Sequence, residues 1–132
     1  MINRDTSRVD RTLLRKVNAV ITDVNAQLPS GWEIAIFETS RTTNRQQALF
    51  KQRTTRTLKS KHIPDKNGIV NAVDLVFKYQ GNWCWSCNFW HLVESAKINH
   101  GIKIIESQTF IDHPHCELLF PEQSQTATKK AA

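Results

Sequence analysis

The sequence predicts an α+β fold in which helices flank a small antiparallel sheet. Two observations support this prediction: a long segment whose apolar residues have helical spacing, and several short apolar, β-branched runs bounded by turn residues. The chain has 132 residues, of which 39% are hydrophobic and 23% charged, which is ordinary for a globular domain and too apolar for a disordered chain. We expect residues 1–121 to form a single domain and residues 122–132 to form a polar tail.

The first half of the chain is predicted to contain a helix, a strand and a second helix. In residues 9–28 apolar side chains recur every three or four positions, which places one apolar stripe on a helix that Pro29-Ser30-Gly31 ends. Residues 32–37 are apolar and partly β-branched, as in a strand. Residues 40–52 have a polar start followed by an apolar centre, which predicts a short helix.

The second half is predicted to supply the rest of the sheet and one more helix. Residues 69–77 form an apolar strand that carries a single charge, Asp74, and turns lie on both sides of it at residues 64–68 and 80–82. Residues 88–100 have helical character and end at Gly101, a typical C-cap. Further strands are predicted at residues 102–105 and 115–120.

The charge of the chain favours an anionic partner. The formal net charge is +6 and the isoelectric point is near 9.5, which suits nucleic acid, an anionic wall polymer or a lipid headgroup. No apolar run approaches the roughly 18 residues that span a bilayer. Residues 1–10 lack the apolar stretch of a secretory signal, and three cysteines are too few for a disulfide scaffold. We therefore expect no membrane insertion.

Asp74 is the first candidate functional residue. It lies within an apolar strand, where a carboxylate is costly unless it is paired, hydrogen-bonded or bound to a metal. A surface-facing aspartate on a half-exposed strand explains the same pattern, so the strand alone does not decide between the two interpretations.

His115 begins the last predicted strand. Alternation places His115 on the same face as Glu117 and on the opposite face from Cys116. Asp112 lies three residues earlier, so a turn next to Pro114 is needed to bring Asp112 and His115 into one cleft. By itself, a histidine in this position is more often packed or hydrogen-bonded than a metal ligand.

His62 lies in a polar loop, where exposure to solvent is the default. Two imidazoles, from His62 and His115, and the carboxylate of Asp74 would make a catalytic zinc site if a fourth position stayed open. Asp112 would then act as a base toward water on the metal. The spacing of these residues does not by itself bring them together.

Three motifs, in order along the chain, resemble those of a known family. They are Ser40-Arg41-Thr42 with Arg45-Gln46 and Leu49-Phe50, then Ser60-Lys61-His62 with Gly68 and Ala72-Val73-Asp74-Leu75, and finally Asp112-His113-Pro114-His115-Cys116-Glu117-Leu118. Through these motifs the chain resembles the VanY-like zinc peptidases of peptidoglycan, and the resemblance covers residues 36–120. It is most similar to the branch of phage endolysins that cleave the L-alanyl-D-glutamate bond.

The resemblance implies a role for each matching residue. His62, Asp74 and His115 would hold a zinc ion on the antiparallel sheet. Asp112 would be the general base, in a position where the carboxypeptidase branch usually has glutamate.

The resemblance also implies three residues that act on the substrate. Arg41 would stabilise the oxyanion or anchor the substrate, as a fixed cation can in a water-poor site. Ser60 and Gln46 match motif positions and are assigned to substrate binding.

The function implied is hydrolysis of the L-Ala–D-Glu bond of the peptidoglycan stem peptide by a phage or prophage endolysin that lyses the host. The alternative within the family is a D-alanyl-D-alanine carboxypeptidase. Such an enzyme would be made in the cytoplasm without a signal peptide and would reach the cell wall through a route such as a holin pore. We expect a monomer that binds the stem peptide and no nucleic acid.

The chain departs from the family pattern in three places. Eleven residues separate His62 from Asp74, more than is usual, and a tight turn at residues 65–68 could absorb the excess. Glu106-Ser107-Gln108 stands near the position of a usual Trp-Gly-Gly, which affects the predicted substrate groove more than the metal. Cys116 replaces an aromatic residue and is predicted to be a small buried side chain that points away from the metal.

Two alternatives come from other classes of protein. The segment Trp83-Cys84-Trp85-Ser86-Cys87 follows an apolar strand and precedes a helix, as in thioredoxin-like thiol–disulfide oxidoreductases, but few residues follow for the rest of that fold. The basic, threonine-rich loop at residues 53–61 could contact phosphates of nucleic acid, but no recognised nucleic-acid-binding motif accompanies it.

Overall fold

A computed structural model of the chain describes residues 2–52, 60–104 and 113–120. The fold is α+β, as the sequence predicts. In chain order the elements are α1 (Arg11–Asn25), β1 (Trp32–Glu38), α2 (Thr43–Lys51), β2 (Val73–Tyr79), β3 (Asn82–Cys84), α3 (Trp90–His100) and β4 (His115–Cys116). The predicted tail at residues 122–132, the segment at residues 106–108 and the predicted base Asp112 lie outside the described residues.

α1 begins at a buried aspartate and covers the sheet with its apolar stripe. The Asp10 carboxylate accepts the backbone N–H of Leu13 at 2.9 Å, and such a cap typically contributes ~1 kcal/mol. The buried stripe consists of Leu13, Val17, Val20 and Val24. α1 ends three residues earlier than predicted, at Asn25, whose side-chain amide bonds both backbone groups of Ile34 in β1.

β2 is the central strand of the four-stranded antiparallel sheet. β1 pairs with β2 from Trp32 opposite Tyr79 to Glu38 opposite Asp74, with a register shift between Ile36 and Glu38. β3 and β4 therefore share the other edge of β2, with β3 near its C-terminal end and β4 opposite Val73 and Asp74.

The two faces of β2 differ in character. Val73, Leu75 and Phe77 are buried in one apolar cluster with residues of α1 and α3. Asp74 lies between two of these residues, so the alternation of a strand turns its side chain to the opposite face. The fold therefore places one carboxylate on the sheet face that the main apolar cluster does not occupy.

β3 is a strand that the sequence analysis missed. It pairs with β2 through a two-residue turn in which Gln80 and Gly81 both have positive φ, 49° and 84°. Two positive φ angles are the signature of a type I′ hairpin turn, so the predicted turn is confirmed. The strand after it was overlooked because it spans only three residues.

Three predicted strands are shorter in the structure. The strand predicted from residue 69 begins at Val73, and Val70 before it makes a single parallel bridge with Val9. The last strand ends at Cys116, followed by one bridge between Leu118 and Ile102. Within the described residues, this bridge is the only β-pairing in the strand predicted at 102–105. The pairing is short because this segment and the one around Leu118 lie side by side for only a few residues.

The remaining helices agree closely with the prediction. α2 begins after Thr42, whose side chain accepts the backbone N–H of Arg45. α3 ends at Gly101 in the left-handed conformation, φ 73°, as predicted for a glycine C-cap. Among the described helices, none has the length and hydropathy needed to cross a membrane.

Candidate metal centre

Three side chains from the second and third sequence motifs converge on one side of β2. One ligand atom each from His62, Asp74 and His115 lies within 4.8 Å of the others, and no other group in the described ranges meets this criterion. Asp74 and His115 are direct partners in the β2–β4 ladder. His62 is held by its backbone, since its carbonyl accepts the N–H of Arg41 at 2.8 Å.

His62 is buried, contrary to the default for a histidine in a polar loop. Its exposed fraction is 1%, and its Nδ1 donates to the backbone carbonyl of Thr39 at 2.7 Å. A carbonyl oxygen can only accept, so Nδ1 carries the hydrogen and Nε2 faces Asp74 Oδ1 at 3.0 Å.

His115 is oriented in the reverse sense. Its Nε2 lies 3.0 Å from Glu117 Oε1 and its Nδ1 lies 3.5 Å from Asp74 Oδ1. The two imidazole rings stand nearly edge to face, with centroids 5.2 Å apart. The same-face relation predicted for His115 and Glu117 is therefore present, and Cys116 between them is buried in the apolar core, as predicted.

The orientation of the two imidazoles fits a bound cation. Each ring uses its outer nitrogen as an N–H donor, to the Thr39 carbonyl and to the Glu117 carboxylate. In a neutral ring the inner nitrogen then directs a lone pair toward Asp74 Oδ1, which is itself an electron-pair donor. A divalent cation between these three atoms would satisfy all of them, and two imidazoles with one carboxylate are a ligand set of catalytic zinc sites.

Asp74 is ionised and partnered. Burial alone raises the pKa of its carboxyl group. Without a cation, the protonated rings of His115 and His62 would donate to the carboxylate from their inner nitrogens, and this outweighs burial and holds the pKa well below its usual range. Its second oxygen accepts Arg41 Nη2 at 3.0 Å. The carboxylate is thus buried and charged at neutral pH, and it is not the surface residue that the strand pattern also allowed.

Arg41 lies beside the candidate ligands and is held by three acceptors. Its Nε, Nη1 and Nη2 donate to Glu38, Gln46 and Asp74, each at 3.0 Å. Glu38 is nearly completely buried and also accepts from Arg45. Guanidinium has five N–H groups, so two remain for a ligand or for residues outside the described ranges.

Two of the three residues predicted to act on the substrate, Gln46 and Ser60, contact other residues of the candidate site. Gln46 is fully buried and contacts Arg41. Ser60 is half-buried, and its hydroxyl accepts the backbone N–H of His62 at 3.1 Å. Their direct contact with substrate stays a prediction.

Three residues around the site had no role assigned from the sequence. Thr39 and Glu117 contact the outer nitrogens of the histidines, and Glu38 contacts Arg41. The alternation of the last strand placed Glu117 on the face of His115 but did not indicate what it does there. For Thr39 the contact is a backbone carbonyl, which leaves no signal in the side-chain sequence.

Glu117 is a second ionised acid next to the triad. Burial raises the pKa of its carboxyl group, but hydrogen bonds with His115 and Lys61 outweigh burial and lower the pKa to about 2. Its charge is matched by Lys61, whose Nζ lies 2.8 Å from Oε2.

The structure does not favour the thiol alternative. Every strand pair in the described sheet is antiparallel, whereas a thioredoxin-like motif sits in a parallel βαβ unit. Cys84 and Cys87 are free thiols. Burial and the neighbouring Cys84 raise the pKa of Cys87, the opposite of what a reactive thiol of this type needs.

The basic loop predicted at residues 53–61 lies outside the described residues except for Ser60 and Lys61. Lys61 is paired with Glu117. The nucleic-acid alternative therefore gains no support from the part of the loop that is described.

Comparison with known proteins identifies a similar fold. No protein-family profile matches the chain, and no curated protein sequence matches it. Among solved structures, the chain is similar to the L-Ala D-Glu endopeptidase ChiX of Serratia marcescens, with 23% sequence identity and a TM-score of 0.63 over 88% of this chain and 84% of that chain. At this identity the likeness establishes a shared α+β fold.

Proposed function

We propose that the chain is a zinc-dependent peptidase that hydrolyses the L-Ala–D-Glu bond of the peptidoglycan stem peptide. The observation that carries the proposal is the convergence of His62, Asp74 and His115, with both imidazoles oriented for a cation. Two further observations support it: a fold shared with an L-Ala D-Glu endopeptidase, and three motifs that resemble the VanY-like zinc peptidases.

The metal and the residues around the triad would each have a different role in hydrolysis. A zinc ion would polarise the scissile carbonyl and lower the pKa of water in the open position toward ~7. Asp112 would accept the proton of the attacking water and return it to the leaving amine. Arg41, already fixed by three acceptors, would direct its remaining N–H groups to the developing oxyanion.

The substrate and the biological role belong to the same proposal. The net charge of +6 suits an anionic wall polymer and its stem peptide. We propose a monomeric phage or prophage endolysin, on the resemblance to that branch. We expect cells that produce the protein to survive while their inner membrane is intact and to lyse once that membrane is permeabilised. If permeabilised cells also failed to lyse, the result would contradict the role.

Mass spectrometry of purified muropeptides tests the reaction. The protein should convert a disaccharide-peptide into disaccharide-L-Ala and a peptide that begins with D-Glu. A chelator should stop the reaction and added Zn²⁺ should restore it. Release of terminal D-Ala alone would identify the carboxypeptidase instead, and hydrolysis that resists the chelator would contradict zinc dependence.

Replacing the proposed base separates catalysis from metal binding. Asp112→Ala should bind zinc with the wild-type stoichiometry and lose about 10²- to 10⁴-fold in kcat, which is typical for a general base. Metal content and muropeptide hydrolysis are measured on the same preparation. Hydrolysis at the wild-type rate would remove Asp112 from this role.

A further inference from the structure

Glu117 joins the two histidine-bearing segments of the candidate metal centre. One carboxylate oxygen, Oε1, lies 3.0 Å from His115 Nε2, and the other, Oε2, lies 2.8 Å from Lys61 Nζ. Lys61 directly precedes His62 in the chain. The side chain of Glu117 is 9% exposed and that of His115 is 15% exposed, so their contact is made largely out of water, whereas Lys61 is about half exposed.

We propose that Glu117 is a positioning residue that accepts the Nε2–H of His115 and thereby presents Nδ1 to the metal. The inference relies on the proposed function only for the presence of the metal, not for the bond that is cleaved. Through Lys61, the same carboxylate also keeps the segment of His62 next to that of His115.

The two histidines are oriented by different kinds of acceptor. His62 donates to the backbone carbonyl of Thr39, which the end of β1 holds in place, and the ring is 1% exposed. The His115 side chain is 15% exposed and lies on a two-residue strand. A side-chain carboxylate fixed by Lys61 supplies the constraint that β4 is too short to provide.

A purely structural ion pair is the competing explanation for the buried Glu117, and two matched variants separate it from the proposal. Lys61→Met removes the shorter of the two ion pairs on Oε2, leaves the longer one to Lys103 Nζ at 3.9 Å, and leaves the acceptor on His115. Glu117→Gln loses the charge but keeps an oxygen that can accept the His115 N–H. Glu117→Ala removes both contacts.

The experiment measures the Zn²⁺ affinity of the full-length apo protein by competition with a chromophoric chelator. Glu117→Ala should bind Zn²⁺ about 10- to 100-fold more weakly, the usual cost of losing the partner of a ligating histidine. Glu117→Gln and Lys61→Met should stay closer to the wild type than Glu117→Ala does. Equal losses in Lys61→Met and Glu117→Ala, or no loss in Glu117→Ala, would overturn the proposal.

A second measurement needs no variant and so does not depend on the folding of Glu117→Ala. In the zinc-loaded wild type labelled with ¹⁵N-histidine, NMR should show His115 protonated on Nε2 and metal-bound through Nδ1, and His62 with the reverse pattern. Ligation of His115 through Nε2 would overturn the proposal. A wild type that binds zinc in this way but cleaves no muropeptide would contradict only the proposed function, whereas a wild type that binds no zinc would contradict both.

Discussion

The two faces of β2 carry different kinds of interaction. Val73, Leu75 and Phe77 are fully buried in the cluster with α1 and α3, where packing is non-directional and depends on area and volume. Asp74 faces the other way and depends on two histidines and Arg41, each at a defined distance. We therefore expect that stability and the candidate chemistry can be perturbed separately, one face at a time.

The largest effect should come from removing a ligand on the polar face. We expect His62→Ala to lose zinc while its circular dichroism spectrum keeps the wild-type shape. Its rate of hydrolysis should fall by more than ~100-fold, because losing a ligand should cost more than losing the hydrogen-bond partner of a ligand. Metal content after dialysis and muropeptide hydrolysis are the measurements. His91→Ala, an exposed histidine on α3, is the control and should retain both. Zinc retained by His62→Ala would refute the assignment of the ligands.

The apolar face should respond in stability instead. Phe77→Ala removes a fully buried ring and should lower the free energy of unfolding by about 3–5 kcal/mol. The folded fraction should still bind zinc, because the Phe77 side chain points away from Asp74. Denaturant titration measures the loss, with the exposed Ile98→Ala as a control expected within ~0.5 kcal/mol of wild type. If Phe77→Ala stayed folded but lost zinc, the two faces would not be separable.

The third prediction concerns Arg41, which lies beside the candidate ligands on the polar face of β2. Arg41→Ala should lower kcat by about 10²–10³, the usual cost of one fixed oxyanion donor, with zinc still bound. Arg45→Ala is the matched control, since Arg45 also pairs with Glu38 but makes no described contact with Asp74. Its loss of kcat should be much smaller. Equal losses in kcat would indicate that Glu38, rather than the oxyanion, explains the effect.

We expect the smallest effect in the turn at residues 65–68, which lies between His62 and Asp74 in the chain. Although burial alone raises the pKa of Asp65, the backbone N–H groups of Ile69 and Asn67 and the amide of Asn71 outweigh it and lower the pKa. Because Asp65 is exposed and water screens these contacts, Asp65→Ala should lower the free energy of unfolding by less than ~1 kcal/mol at neutral pH.

This cost should depend on pH in a defined direction. Because the pKa of Asp65 is lower in the folded state than in the unfolded chain, its charge stabilises the fold above pH 3.8, and that contribution fades as the pH falls through the folded-state pKa. Unfolding titrations at several pH values should show the difference between wild type and Asp65→Ala shrinking in acid. A difference that grows in acid would contradict the assignment. Asp65→Asn keeps an acceptor oxygen but cannot ionise. Its stability should therefore fall less than that of Asp65→Ala, and the pH dependence should disappear.

Much of the fold follows from local signals. The spacing of apolar residues predicts α1, and Gly101 predicts the end of α3, because both depend on neighbours along the chain. β3 and the short β4 were missed or overextended, because two or three residues carry little periodicity and their length depends on how much of β2 is left to pair.

The candidate site was predicted less completely. The motifs named His62, Asp74 and His115 together, but the pattern around Asp74 allowed a surface residue equally well. Its burial required β1 and β4 on both edges of β2, which is a non-local property.

The amino-acid sequence alone specifies which residues carry imidazole, carboxylate and guanidinium groups and which segments have the periodicity of helices and strands, since these properties belong to side chains and their near neighbours. The tertiary structure decided the rest: that His62 is buried, that Glu117 and Thr39 orient opposite nitrogens of the two imidazoles, and that Arg41 connects Glu38 to Asp74. The physical reason is that these contacts join residues far apart in the chain, and their geometry exists only once antiparallel pairing has set the path between them.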